Sequence, residues 1–229
     1  MILERKFRKP LETTTSGSND GPVSYNAGPE PVQYLIHEYP LQQGALEIAY
    51  IEEFFSEFPE RKTAVEIIDR MQGREFQILM AEAPLPDEGS SIVPVGYKVS
   101  HELRAEETDL KLADLVTRLD GVVDFNGRRI LYNWLGATRL DWRGQGHFRA
   151  LTEEQETWAL GNGFDEILVK TKNRFYEMRA ALAQLHYHVI RFVPSTTATG
   201  ESKVFLSKRL GQHVLDTHRS RRSLTRRDS

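Results

Sequence analysis

Cysteine is absent from the chain, and that absence removes a block of chemistry. No disulfide, zinc–thiolate site or thiol nucleophile can be built, which is compatible with a cytoplasmic protein. Nor does either charge dominate. Thirty Lys and Arg against 33 Asp and Glu leave a net charge of −3, too little for a general pull toward nucleic acid or membranes. No apolar run approaches membrane-spanning length, and Met1 to Pro10 is too charged for a signal-peptide core. The expectation is a soluble cytoplasmic protein. With 39% hydrophobic and 28% charged residues, the composition is ordinary for a globular chain. The length of 229 residues suits one domain with a full core plus extensions.

The strongest positive signal is a loop, Arg143-Gly144-Gln145-Gly146, between the apolar stretch Ile130 to Leu140 and a helix-like stretch from about Phe148. Two glycines separated by one residue let the backbone turn sharply and approach a ligand. The unpaired N–H groups of the following helix, at its positive dipole end, then suit an anion such as a pyrophosphate. Arg143 adds a fixed charge. No Gly-Lys-Ser/Thr closes the run and no third glycine completes a dinucleotide fingerprint, so an ordinary turn is the competing reading.

Around the loop the elements are legible. Residues 1–33 hold a basic cluster and a polar stretch, Thr13 to Pro31, expected as a flexible arm. Tyr34 to Glu38 is a candidate strand. Residues 45–58 carry Ile48, Ile51, Phe55 and Phe58 at helical spacing. Pro59 suits the first turn of a second helix lined by Ala64, Val65, Ile68 and Met71. Phe76 to Ala81 and Ile92 to His101 are paired strands across the loop 83–91. Leu110 to Leu119 is an amphipathic helix ended by Gly121, and Gly161-Asn162-Gly163 stops the helix after the glycine loop. Glu166 to Thr171 is a strand and Asn173 to Leu185 a helix. Tyr187 to Val193 pairs with Lys203 to Ser207. From Gly211 the chain is polar and basic, expected as a solvated tail over 210–229.

These features resemble the GNAT superfamily of N-acetyltransferases. Its central motif reads Gln/Arg-x-x-Gly-x-Gly/Ala, matched by Arg143 and Gly146, with Phe148 where the family has Gly or Ala. Tyr132-Asn133-Trp134-Leu135-Gly136-Ala137-Thr138 looks like the family's fourth strand. Lys170-Thr171-Lys172-Asn173-Arg174-Phe175 with Met178 is similar to a junction in a bacterial branch that carries Lys-Thr-x-Asn-x-Phe. The resemblance covers roughly residues 34 to 208. It implies a mixed α/β, three-layer sandwich whose central sheet is mostly antiparallel, with splayed fourth and fifth strands.

By the same resemblance the cosubstrate is acetyl-CoA. Its pyrophosphate would lie at Arg143, Gly144, Gln145, Gly146, His147 and Phe148, its pantetheine along Gly136, Ala137 and Thr138, near Asn173. His147 is expected exposed at the loop mouth, and Phe148 turned inward with Leu151 and Trp158. A backbone N–H near Ala137 or Thr138 would be the oxyanion donor. The implied activity is acetyl transfer to a primary amine, on a small molecule or a peptide. A homodimer is compatible with it.

Direct attack by an amine needs a base and a proton donor for the leaving thiolate. Glu102 is chosen as base because a strand ends there beside the expected acceptor pocket, with His101 as fallback. The bland reading of Glu102 is the start of a solvated loop. Many family members carry a Tyr four residues before a Gly-Phe pair, but here Leu182 precedes His186-Tyr187. Tyr176 is the substitute, with packing aromatic as its alternative. Glu52, Glu53, Glu57, Glu60, Glu106, Glu107 and Asp109 would favour a cationic amine if they ring the acceptor; solvated helix faces explain them as well. His186 and His188 share a strand face without a carboxylate at ligand spacing, so no metal site is expected. The rival functions are a non-catalytic acyl-CoA-binding module on the same fold and, more weakly, a nucleic-acid partner using the basic ends.

Overall fold

The computed structural model describes residues 3–7, 32–39, 62–84 and 92–225. Eight strands form one sheet: β1 (Leu3–Phe7), β2 (Val32–Glu38), β3 (Phe76–Pro84), β4 (Ile92–Leu103), β5 (Ile130–Thr138), β6 (Glu166–Lys172), β7 (His188–Val193) and β8 (Lys203–Arg209). Their order is β1-β2-β3-β4-β5-β6-β8-β7. Every neighbouring pair is antiparallel except β5 with β6. Helices α1 (Ala64–Met71) and α2 (Leu110–Leu119) pack on one face. Helices α3 (His147–Gly161), α4 (Tyr176–Gln184) and α5 (Gln212–Thr225) lie over the other. The three layers and the mostly antiparallel sheet are those the sequence led us to expect.

Local chemistry accounts for the helix starts. α1 begins in a capping box, Thr63 with Glu66, in which each side chain accepts from the other residue's backbone N–H, at 3.2 and 2.9 Å. The start was expected at Pro59, which lies outside the described residues together with the helix expected over 45–58. α2 is capped by Asp109, which accepts from the N–H groups of Lys111 and Leu112. Alternation then sorts the strands. Ile78, Met80, Tyr97, Val99 and Ala137 pack under α1, whereas Leu131, Ile167, Val169, Val204 and Leu206 pack under α3 and α4.

Both termini depart from the sequence expectation. Within the expected arm, Leu3–Phe7 adds a strand to β2, with Leu3 opposite Ile36; residues 8–31 lie outside the described set. In place of a solvated tail, Gln212–Thr225 is a helix anchored on α3 by a buried Glu156–His218 contact of 2.8 Å. A tail rich in Arg conceals a helix because one buried His and Val214 suffice to dock it.

Two buried histidines set a pH dependence. Desolvation pushes His101 and His147 down to about 4, from an ordinary value of 6.5. Above 6.5 both folded and unfolded chains are neutral at these sites. As pH falls from 6.5 toward 4, the unfolded chain takes up protons the folded one refuses, so stability falls. Each site costs about 3 kcal/mol once fully titrated. Thermal unfolding midpoints should drop steeply across this range. His101→Phe, which keeps the ring contacts with Tyr132 and Trp134, should flatten the slope; an unchanged slope would refute the assignment.

Candidate functional site

The parallel pairing of β5 with β6 lasts only from Ile130–Glu166 to Asn133–Val169. β5 runs on to Thr138 beside β4 and β6 to Lys172 beside β8, no longer paired with each other, so the strands fork. The fork begins where β5 carries an extra residue: Val99 faces Leu135 and Ser100 faces Asn133, leaving Trp134 bulged. A cleft of about 1570 Å³ opens there, lined by Asn133 to Thr138, Trp142 to Arg149 and the start of α4.

The edge of β5 that borders the fork is definable from its hydrogen bonding. Arg139 N–H donates to Val95 C=O at 3.0 Å, so by alternation the amides of Ala137 and Leu135 face β4. Those of Gly136 and Thr138 face the gap. Thr138 C=O agrees with this, accepting from Arg143 Nε across the loop at 3.2 Å. Around Ala137 and Thr138, where an oxyanion donor was expected, the amides turned toward the gap are thus those of Gly136 and Thr138.

The glycine loop has the backbone its sequence demands. Gly144 and Gly146 take φ of 74° and 88°, left-handed positions that residues with a Cβ adopt at a cost. Gly146 is the N-cap of α3 and has no side chain to cap it, and the first-turn residues His147, Phe148 and Arg149 line the cleft. Polar groups around the fork lack partners: Asn133 Oδ1, Thr138 Oγ1 and Gln145 Oε1 are buried with no hydrogen bond among the described residues. Orphaned atoms of this kind beside a cleft can be satisfied by a bound polar group.

Other expected contacts fall differently. Phe148 turns inward, as anticipated, packing with the core under α3 while one side lines the cleft. Lys98 Nζ sits 4.7 Å over its ring and donates to Gln155 Oε1 at 3.2 Å. Full burial pushes this lysine down to about 7. His147 is not exposed; it is buried edge-on against Trp142, with ring centroids 5.7 Å apart. Asn173 does not line the cleft, since its amide donates to Thr199 C=O and its Oδ1 accepts from Arg179. Arg143 is exposed, with Glu177 3.7 Å away.

The two basic candidates stand apart from the cleft. Antiparallel pairing sets Glu102 opposite Leu131, where β5 and β6 are still joined. Its carboxylate is held by Arg129 at 2.9 Å and Arg104 at 2.9 Å. Burial pushes its pKa up, but those guanidinium groups outweigh burial and hold it below the usual range. Arg129 also binds Glu75 and the Asn162 C=O, so the cluster ties β3, β4 and the end of α3 together. His101 is buried on the opposite face, with its Nδ1 2.7 Å from Glu102 C=O. Glu102 does not line the cleft because the end of one antiparallel strand meets the beginning of the next. Glu102→Gln should leave acetyl transfer unchanged while lowering stability by about 1.5–3 kcal/mol. A turnover loss without destabilisation would restore it as base.

Tyr176, first residue of α4, does line the cleft and is 65% exposed. Leu182 is wholly buried, so the tyrosine position of the resemblance holds no proton donor. His186 has φ of 64°, a left-handed turn in the place where the family has glycine. Tyr97, Trp134, Lys170 and Lys203 also line the cleft and were missed. Strand alternation from Val99 would have placed Tyr97 opposite Ala137.

A sheet forked between two parallel strands, with a glycine loop leading into a helix at the fork, is the decisive observation. The fold is that of the GNAT acetyltransferases. Arabidopsis thaliana NAA60 in complex with a bisubstrate analogue superposes with a TM-score of 0.57 at 14% identity, covering 77% of this chain and 98% of that one. A Desulfovibrio desulfuricans protein assigned to the GNAT family gives 0.53 at 17% identity, with 78% and 99% covered. Salmonella typhimurium yncA with its cofactor acetyl-CoA gives 0.53 at 13%, with 79% and 95% covered. No family model and no curated protein matches the chain by sequence. No helix among the described residues is long and apolar enough to cross a membrane.

Proposed function

We propose that the chain is an acetyl-CoA-dependent N-acetyltransferase that acts on a primary amine. The observation that carries this reading is the fork itself. It leaves the polar edge of β5 open beside the N-terminus of α3, with Asn133, Thr138 and Gln145 offering unpaired polar atoms. The thioester would supply an activated acyl group. The backbone of 143–148 would hold the pyrophosphate, with Arg143 adding charge. The edge formed by Gly136 and Thr138 would bond the pantetheine, and one of its N–H groups would polarise the acyl carbonyl. Tyr176 is the proposed donor to the leaving thiolate.

Glu102 and His101 play no part in proton removal. Among the described residues the one carboxylate that lines the cleft is Glu177, near the loop. The amine would thus enter as the free base or lose its proton to water, and turnover should climb with pH toward the amine's own pKa. A non-catalytic acyl-CoA-binding module is the second reading, favoured by Leu182 in place of a phenol. A thiol-release assay against an amine library, run beside calorimetric titration of acetyl-CoA, separates the two. Binding without thiol release from any amine selects the module, and no binding rejects both.

A further inference from the structure

Resting on the acetyltransfer reading, the cleft also carries information about its acceptor. On the α1/α2 face, beyond the fork, β6 and β8 present a set of lysines. Lys172 is directly opposite Lys203, and Lys170 opposite Phe205. Phe205 belongs to the core under α2, so alternation puts Lys170, Lys172 and Lys203 on that face. All three line the cleft, above a wall of Tyr97, Trp134 and Leu135.

Lys172 is satisfied by Glu201 at 2.8 Å. Lys170 and Lys203 have no ion pair or hydrogen bond among the described residues. The nearby carboxylate, Asp114, is engaged by Arg118 at 2.7 Å. Partial desolvation first, and the charge of Lys203 second, hold Lys170 below the ordinary lysine range. Lys203 faces Lys172 directly and Lys170 on the diagonal, and like charges at this spacing destabilise a sheet. Of the acids expected to attract a cation, the described ones do not reach this place. Glu107 is bound to Arg74 at 2.5 Å and Asp109 caps α2, Glu106 does not line the cleft, and residues 52–60 lie outside the described set.

We propose that the acceptor is an amine bearing a carboxylate, and that Lys170 and Lys203 bind that carboxylate. The carboxylate can belong to a free amino acid or to an acidic residue at a peptide's end. Because the lysines sit on the face opposite the 143–148 loop, acceptor and donor recognition are separable.

Calorimetric titration at low salt, needing no turnover, tests this with product-like probes. N-acetylaspartate, an N-acetylaspartyl peptide amide and neutral N-acetylasparagine amide are compared on wild type and on the double variant Lys170→Gln/Lys203→Gln. At least one anionic probe should bind about tenfold to a hundredfold more tightly than the neutral one. The preferred probe tells the free amino acid from the peptide. The double variant should lose the preference, with acetyl-CoA affinity unchanged. Equal binding of anionic and neutral probes, or a preference that survives the double variant, overturns the proposal. Anion preference without acetyl-CoA binding would instead overturn the acetyltransfer reading and leave the anion site standing.

Discussion

Gly146→Val should weaken acetyl-CoA binding by about two orders of magnitude or more while the protein stays folded. Position 146 has φ of 88° and ψ of 1°, where a β-branched residue is a genuine outlier. Forcing it there costs about 1–2 kcal/mol, which the loop can avoid by moving and thereby misaligning the α3 amides. The added side chain would also stand where a pyrophosphate must come close. Losing two charge-assisted contacts at about 1.5–3 kcal/mol each gives a factor of about 10²–10⁴. Arg143→Ala should cost less, about tenfold, because its guanidinium already donates to Thr138 C=O. Calorimetry supplies the affinities, and circular dichroism with the unfolding midpoint shows that the fold persists. Full affinity in a folded Gly146→Val protein would move the pyrophosphate site away from 143–148.

The strands and the glycine loop were legible because their determinants are local, whereas the fork was expected only from the family resemblance. Apolar runs over Ile130 to Leu140 and Glu166 to Thr171, and glycines at 144 and 146, give strand, turn and helix start within short stretches. Asp109 and Gly121 likewise bracket α2 where the sequence placed it. The position of Glu102 away from the cleft has a non-local cause. Which end of β4 meets the fork depends on its antiparallel pairing with β5, which sets the end of β4 against the start of β5. Asn173 lies off the cleft for another: its partners Thr199 and Arg179 are brought together only by the tertiary fold. Lys170 and Lys203 were passed over because a lone lysine on a strand looks solvated, and their significance comes from sharing a face across β6 and β8. The helix at the C-terminal end was missed because its polarity describes its outer side; His218, which docks it, is one residue.

Glu156→Ala should strongly destabilise the fold. Glu156 is wholly buried at the centre of α3. Its Oε2 accepts from Lys208 Nζ at 2.7 Å and lies 2.8 Å from His218 Nε2. Burial pushes this carboxyl up, but His218 and Lys208 outweigh it and keep the group below the usual range. The Tyr187 hydroxyl is buried beside it and pushed far up by burial and by the Glu156 charge. One carboxylate therefore joins β8, α3 and α5. Its removal strands the Lys208 charge and the His218 ring in the interior, a loss of about 3–5 kcal/mol. For a chain of this length that corresponds to a midpoint lowered by about 6–20 °C. α5 should loosen with it, taking Arg221, which lines the cleft near Gln184, and weakening acetyl-CoA binding without touching the glycine loop. Deleting residues 212–229 should reproduce the weaker binding. The double variant Glu156→Leu/Lys208→Met, which leaves no unpaired charge, should recover much of the lost stability. An unfolding midpoint within a degree or two of wild type in Glu156→Ala would mean that α5 is held by its other contacts with α3, and that the carboxylate is replaceable by water.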